Sequence, residues 1–211
     1  DMMVGAQLWD GAGAESGGAF LFFGPVTTSG AASAAADVII SGDGADQNAG
    51  SSLGGAGDVN GDGINDLLIG AKNDDEGGVD AGAAYIAYGP FSSDFGLAAA
   101  DVKLTGELTL DGIGSFATTT TAGDTDNDGF DDVIIGARND DEAARNAGAA
   151  YIINGSATLT GTMSLSTADA KLLGHFASDL AGESVGAAGD VDGDGNGDVI
   201  VGSAYSSYQT T

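Results

Sequence analysis

The chain contains no cysteine, which excludes disulfides, thiol catalysis and cysteine-ligated zinc. Basic residues are nearly as scarce. Lys72, Lys103, Arg138, Arg145 and Lys171 stand against 32 acids, for a net charge of −27. So acidic a chain repels nucleic acid and anionic membrane surfaces, and neither is an expected partner. No apolar run reaches the roughly 18 residues of a membrane span, so no membrane insertion is expected. Histidine occurs once (His175) and proline twice (Pro25 and Pro90). Glycine is the opposite case, at 38 of 211 residues, against a usual share of about 7%. With 42% hydrophobic residues, the composition is that of a packed domain cut by many tight turns.

One stretch organises the rest. Asp58-Val-Asn60-Gly-Asp62-Gly63-Ile64-Asn-Asp66 returns as Asp124-Thr-Asp126-Asn-Asp128-Gly129-Phe130-Asp-Asp132 and as Asp190-Val-Asp192-Gly-Asp194-Gly195-Asn196-Gly-Asp198. Side-chain oxygens fall at loop positions 1, 3, 5 and 9, with glycine at position 6. Alternate residues of a tight loop point inward, so this spacing surrounds one hard cation. Position 7 (Ile64, Phe130 or Asn196) would contribute its carbonyl oxygen, which leaves its side chain free to vary. Calcium, which takes six to eight oxygens in flexible geometry, fits better than magnesium. About three sites are expected, one per loop.

An EF-hand starts in the same way but needs a bidentate acid at position 12 and flanking helices. Position 12 here is Ile69, Ile135 or Val201, inside the runs Asp66-Leu-Leu-Ile-Gly-Ala, Asp132-Val-Ile-Ile-Gly-Ala and Asp198-Val-Ile-Val-Gly-Ser. Such short β-branched runs read as strands. The motif is therefore a loop joining two strands, closed by an Asp at position 9.

Asp58, Asp124 and Asp190 are spaced by 66 residues, and a fixed period with strand-sized parts marks a repeat fold. Asp1-Met-Met-Val-Gly-Ala repeats Asp66-Leu-Leu-Ile-Gly-Ala, which puts Asp1 in a position-9 slot. The expected units are a partial blade over 1–49, blades over 50–115 and 116–182, and the start of another over 183–211. Thirteen strands are expected, among them Ser51–Gly57, Gly82–Gly89, Ala100–Gly106 and Phe116–Gly123. Four short antiparallel strands per repeat make one blade of a β-propeller, so the fold class is all-β. A parallel β-helix is the runner-up, with a shorter repeat and no need for a metal-closed hairpin. About three repeats fall short of the usual four to eight blades, so a segment of a larger propeller is expected.

The order Gly-Asp-x-[Asn/Asp]-x-Asp-Gly-x-x-Asp, an apolar strand ending in Gly-Ala, then Gly-Ala-Ala-Tyr-Ile, resembles the FG-GAP repeat of the integrin α-subunit β-propeller. The resemblance covers essentially the whole chain. It implies seven blades, calcium loops between the first two strands of a blade on one face, and extracellular adhesion or ligand binding. The family's Gly-Ala-Pro triplet reads Gly-Ala-Lys, Gly-Ala-Arg and Gly-Ser-Ala here. The cysteine-free, acidic composition is more similar to bacterial or archaeal secreted members than to animal integrins.

Asn73-Asp-Asp-Glu76 and Asn139-Asp-Asp-Glu142 form a second acidic cluster, able to hold another cation or a partner's basic groups, or simply solvated. Trp9, in the slot of Asp74 and Asp140, reads as edge packing or a sugar-stacking surface. His175 shares its slot with Glu107 and Asp43 and reads as ordinary surface. No nucleophile–base–orienter set can be assembled, so the expectation is no enzyme. The expected function is a calcium-stabilised extracellular scaffold for binding or adhesion, with a protein or carbohydrate ligand at the cell surface, or copies of itself, as partner. A self-assembling filament, or the propeller part of a secreted carbohydrate- or lipid-cleaving enzyme, is the alternative.

Overall fold

The computed structural model describes residues 1–27, 29–114 and 119–205. Those residues are nearly all β. The first blade holds β1 (Met2–Gly5), β2 (Gly18–Phe22) and β3 (Val38–Ser41), with one helical turn, Ala32–Ala35, before β3. The second holds β4 (Ala49–Gly57), β5 (Asp66–Ala71), β6 (Ala83–Ala87) and, after the short β7 (Phe95–Gly96), β8 (Val102–Thr105). The third repeats it with β9 (Thr119–Gly123), β10 (Asp132–Ala137), β11 (Ala149–Ile153), β12 (Gly161–Ser164) and β13 (Ala170–Leu173). The last hairpin is β14 (Ala181–Gly189) with β15 (Asp198–Ser203). Of the strand expected over Phe116–Gly123, residues 116–118 lie outside the described residues.

The strands carry apolar runs rather than strict alternation because both faces of a blade are covered. Leu68, Ile86 and Leu104 of the second blade pack with Val133, Ile135, Tyr151 and Ile153 of the third. Ile69, Ala83 and Tyr85 point the other way, into a cluster with Ala19, Leu21, Val38 and Ile40 of the first. Ile134 and Ala150 meet Val185, Val199 and Val201 on the far side of the third blade. Side chains of period two therefore build successive layers between stacked sheets, and this is a propeller-like arrangement of blades.

Glycine is required where blades touch. A Cβ on Gly136, in the strand-ending Gly-Ala of β10, would sit 2.0 Å from the Gly182 carbonyl oxygen of β14. The same position in β1, Gly5, would place it 2.2 Å from the Gly50 carbonyl oxygen. The repeated Gly-Ala thus marks backbone-on-backbone contact between neighbours.

Four antiparallel strands per blade is incomplete in one respect. β7 pairs in parallel with β3, and β12 with β8, so the connection before a blade's last strand adds a strand to the blade before it. A 3₁₀ turn follows each, and its leucine (Leu97 or Leu165) is buried between the two blades. Thirteen expected strands become fifteen among the described residues. The added pair is only two and four residues long, with no alternating pattern to show in the sequence.

Candidate metal centre

Each acidic loop begins at a bulge. Gly57, Gly123 and Gly189 have φ of +80°, +76° and +73°, and the strand register shifts beside each of them. Glycine takes this conformation without the strain a Cβ would bring. Beyond the bulge, the three loops share one hydrogen-bond pattern. The amide of position 5 (Asp62, Asp128 or Asp194) donates to the Oδ1 atoms of positions 1 and 3 together, at 2.9–3.2 Å. The glycine amide of position 6 donates to the second oxygen of position 1, and position 7 donates to position 5. In each loop the side chains of positions 1, 3 and 5 are thus held by the same short run of backbone amides: Asp58, Asn60 and Asp62, then Asp124, Asp126 and Asp128, then Asp190, Asp192 and Asp194. Ile64, Phe130 and Asn196 stand at position 7, each amide bound to the position-5 carboxylate.

Position 9 has a second job. Asp66 is fully buried; its two oxygens accept from the amide of Val59 at 3.0 Å and of Gly89 at 3.0 Å. Asp132 accepts from Thr125 through both amide and hydroxyl, and from the Gly155 amide at 2.8 Å. Asp198 accepts from the Val191 amide, and Asp1 from the Gly24 amide. In the second and third blades the position-9 carboxylate ties the loop to the end of the third strand. Burial pushes the Asp66 carboxyl up, and the charges of Asp62 and Asp58 add to this, against the two amides that favour its anion.

Two features escaped the sequence reading. Position 4 is left-handed in all three loops (Gly61 φ +76°, Asn127 +60°, Gly193 +81°), and the Gly/Asn/Gly series was the available sign. Position 8 links neighbouring loops: the Asp131 amide donates to the Asp58 carbonyl at 3.1 Å and the Gly197 amide to the Asp124 carbonyl at 2.7 Å. The Asp131 carboxylate also accepts from the Asp58 amide at 2.8 Å.

The donor sets suit a hard divalent cation. Carboxylate oxygens of Asp124, Asp126 and Asp132 lie within 4.8 Å of one another, as do those of Asp190, Asp192 and Asp194. Like charges that close are unfavourable unless a cation or protons compensate them. Oxygen-only ligands with flexible spacing fit calcium.

The second acidic cluster is organised differently. Lys103 Nζ lies 2.9 Å from Asp74, 2.7 Å from Glu76 and 3.5 Å from Asp43 of the preceding blade. Lys171 Nζ repeats this at 3.0 Å from Asp140 and 2.5 Å from each of Glu142 and Glu107. Tyr85 and Tyr151 donate their hydroxyls to the fully buried Asp74 and Asp140, at 2.9 and 3.0 Å. The cation of this cluster is the chain's own ammonium. Burial opposes the charge on each lysine, but the hydrogen bonds that the ammonium groups donate to Glu76 and Asp74, or to Glu107, Glu142 and Asp140, outweigh it and hold both above the usual range. Burial is also the main reason that both tyrosines are pushed up.

The first blade fills the same space without charge. The cross-strand pairs Tyr85–Lys103 and Tyr151–Lys171 correspond to Phe20–Ile39, and Trp9 stands where Asp74 and Asp140 do. Trp9 packs on Phe20 with ring centroids 5.4 Å apart. Room for the indole comes from Gly11 and Gly18, where any Cβ would lie within 3 Å of it; Glu76 and Ala83 hold those slots in the second blade. Five positions thus change together. His175 is exposed and stacks edge-on against Phe176 at 4.2 Å.

Asp111, 1% exposed near the Lys171 network, has its carboxyl raised from 3.8 to about 6, chiefly by burial and then by Asp140 and Glu107, against the Leu108 amide and Lys171. The fold therefore holds a proton that the unfolded chain releases, so this contribution to stability is lost as pH rises from about 4 through about 6. Asp111→Asn is expected to match wild type near pH 4 and exceed it by about 1–3 kcal/mol above pH 7. Urea unfolding across that range measures the gap, and a gap independent of pH would contradict the assignment.

Residues 49–86 and 116–153 each match the family model of the FG-GAP repeat. Each match runs from the first strand of a blade through the acidic loop to the end of the third strand. No helix among the described residues is long and apolar enough to cross a membrane.

Proposed function

Because the chain carries FG-GAP repeats, we propose that it is a calcium-stabilised extracellular β-propeller that acts as a non-catalytic scaffold for binding or adhesion. The observation that supports the reading is the hydrogen-bond pattern shared by the three loops, which would leave each set of side-chain oxygens free to share one ion. Asp58, Asn60, Asp62 and Asp66 would hold the first, with the carbonyl of Ile64. Asp124, Asp126, Asp128, Asp132 and Phe130 would hold the second, and Asp190, Asp192, Asp194, Asp198 and Asn196 the third. Bound calcium would supply charge compensation, not reactivity, since the three loops themselves contain no histidine. The exposed surface combines many acids with scattered apolar side chains such as Leu8, Val79 and Ile200, which would suit a protein or carbohydrate ligand outside the cell. Beads coated with the full chain are expected to capture cells or extracellular matrix in calcium, release them in chelator, and recover on calcium return. Capture that ignores calcium while the fold melts would refute this reading.

A further inference from the structure

Asparagine is followed by glycine three times, at Asn60-Gly61, Asn154-Gly155 and Asn196-Gly197. Such a pair can close on itself, because glycine has no side chain to shield its amide nitrogen from the asparagine side-chain carbonyl. The fold treats the three pairs differently. The Gly155 amide donates to Asp132 at 2.8 Å and the Gly197 amide to the Asp124 carbonyl at 2.7 Å, so both peptides are pinned. The Gly61 amide donates no hydrogen bond to the described residues, whereas its counterpart Gly193 donates to Asp190 at 2.7 Å.

The carbonyl under attack differs as well. Asn60 Oδ1 accepts from the Asp62 amide at 2.9 Å, which folds the side chain back toward the Gly61 peptide. That donor also sits where negative charge develops when a nucleophile adds to the carbonyl. Asn154 and Asn196 use their side chains only as donors among the described residues, to Asp126 at 2.7 Å and to Asp194 at 3.1 Å. Asn60 is half-buried and Gly61 exposed, so water reaches the pair. Glycine at 61 is fixed by the fold, since its φ is +76° and a Cβ would lie 2.5 Å from the Phe130 ring.

We propose that Asn60 is a self-deamidation site, whose aspartate product gives the first acidic loop the donor set of the third. The Gly61 nitrogen bonds to the side-chain carbonyl carbon of Asn60, the bond from that carbon to Nδ2 breaks, and ammonia leaves with the amide proton, closing a cyclic imide. Water then opens the ring. Opening at the new bond restores the backbone and leaves an aspartate; opening at the old peptide bond leaves an isoaspartate, with one more carbon in the backbone. Asp58-Val-Asn60-Gly-Asp62-Gly63 and Asp190-Val-Asp192-Gly-Asp194-Gly195 differ only at this position. A further negative charge at position 3 strengthens a hard-cation site, whose affinity follows the charge of its ligands. The reaction itself needs no metal; only its consequence rests on the calcium reading.

The full chain, held in chelator at mildly alkaline pH in heavy-oxygen water and then digested in acid, reports the site by peptide mass. Label is expected in the peptide holding Asn60 about tenfold faster than in those holding Asn154 and Asn196, whose glycine amides must first break a hydrogen bond. In urea the three rates should converge. Equal rates in the folded chain, no label at Asn60, or a preference for Asn60 that survives in urea would each overturn the proposal. In calorimetric titration, Asn60→Asp is expected to bind one of its calcium ions severalfold more tightly than wild type, and unchanged affinity would overturn the gain assigned to the first loop. If label maps to Asn60 but neither protein binds calcium, the deamidation stands and the calcium reading falls. If calcium binds and Asn60 keeps its amide, the calcium reading stands and the deamidation falls.

Discussion

Lys103→Met is expected to cost about 3–5 kcal/mol, because it leaves the fully buried Asp74 beside Asp43 and Glu76 with no counter-charge. Glu76 is half exposed, so its share is small and the penalty falls mainly on Asp74. The first blade shows how the same space is filled without ions. Replacing the whole set, Asp74→Trp, Glu76→Gly, Ala83→Gly, Tyr85→Phe and Lys103→Ile, is therefore expected to recover most of that loss. A buried ion pair replaced as a unit by well-packed apolar groups is often neutral, whereas removal of one partner is not. Urea unfolding of the single and five-fold variants measures both. A single variant as stable as wild type would mean that the lysine is solvated rather than a staple between blades.

Asp132→Ala is the second large effect, and it should appear even in chelator. The buried carboxylate satisfies the amides of Thr125 and Gly155, and orphaned buried donors cost about 1–3 kcal/mol each, so a loss of about 3–5 kcal/mol is expected without calcium. Asp66→Ala should behave alike through Val59 and Gly89. Asp126→Ala is the contrast: the residue is exposed, so losing the bonds it accepts from the Asp128 amide and Asn154 should cost little, and its main effect should appear when calcium is present. Melting of the three variants with and without chelator separates the roles. Equal behaviour of Asp126→Ala and Asp132→Ala in chelator would mean that position 9 is a ligand only.

The acidic loops were legible because their function sits in local spacing: ligands at alternate positions and glycine where the backbone turns left-handed. The apolar runs of β5 and β10 were legible for a similar reason, since burial on both faces removes alternation. The lysine networks were not. Lys103 sits in an otherwise apolar strand and reads as a solvent-facing residue, while its partners Asp74 and Asp43 lie far off in sequence and, for Asp43, in another blade. The sign that was available is the joint exchange of Asp74, Glu76, Ala83, Tyr85 and Lys103 for Trp9, Gly11, Gly18, Phe20 and Ile39. β7 and β12 stayed hidden because their pairing is set by the neighbouring blade rather than by their own residues. The double role of Asp66 and Asp132 was half legible: spacing marks the carboxylate as a ligand, but only the fold brings Gly89 and Gly155 to it.

The central claim is that three acidic loops hold calcium and thereby hold the blades. Calorimetric titration of the chelator-treated chain with calcium, paired with melting scans at each point, tests it most directly. About three ions per chain should bind, with affinities in the weak extracellular range of about 10⁻⁴–10⁻³ M, and the melting temperature should rise with occupancy by several degrees. Magnesium at the same concentration should do markedly less. A chain that takes up no calcium, or that melts identically with calcium and with chelator, would contradict the account.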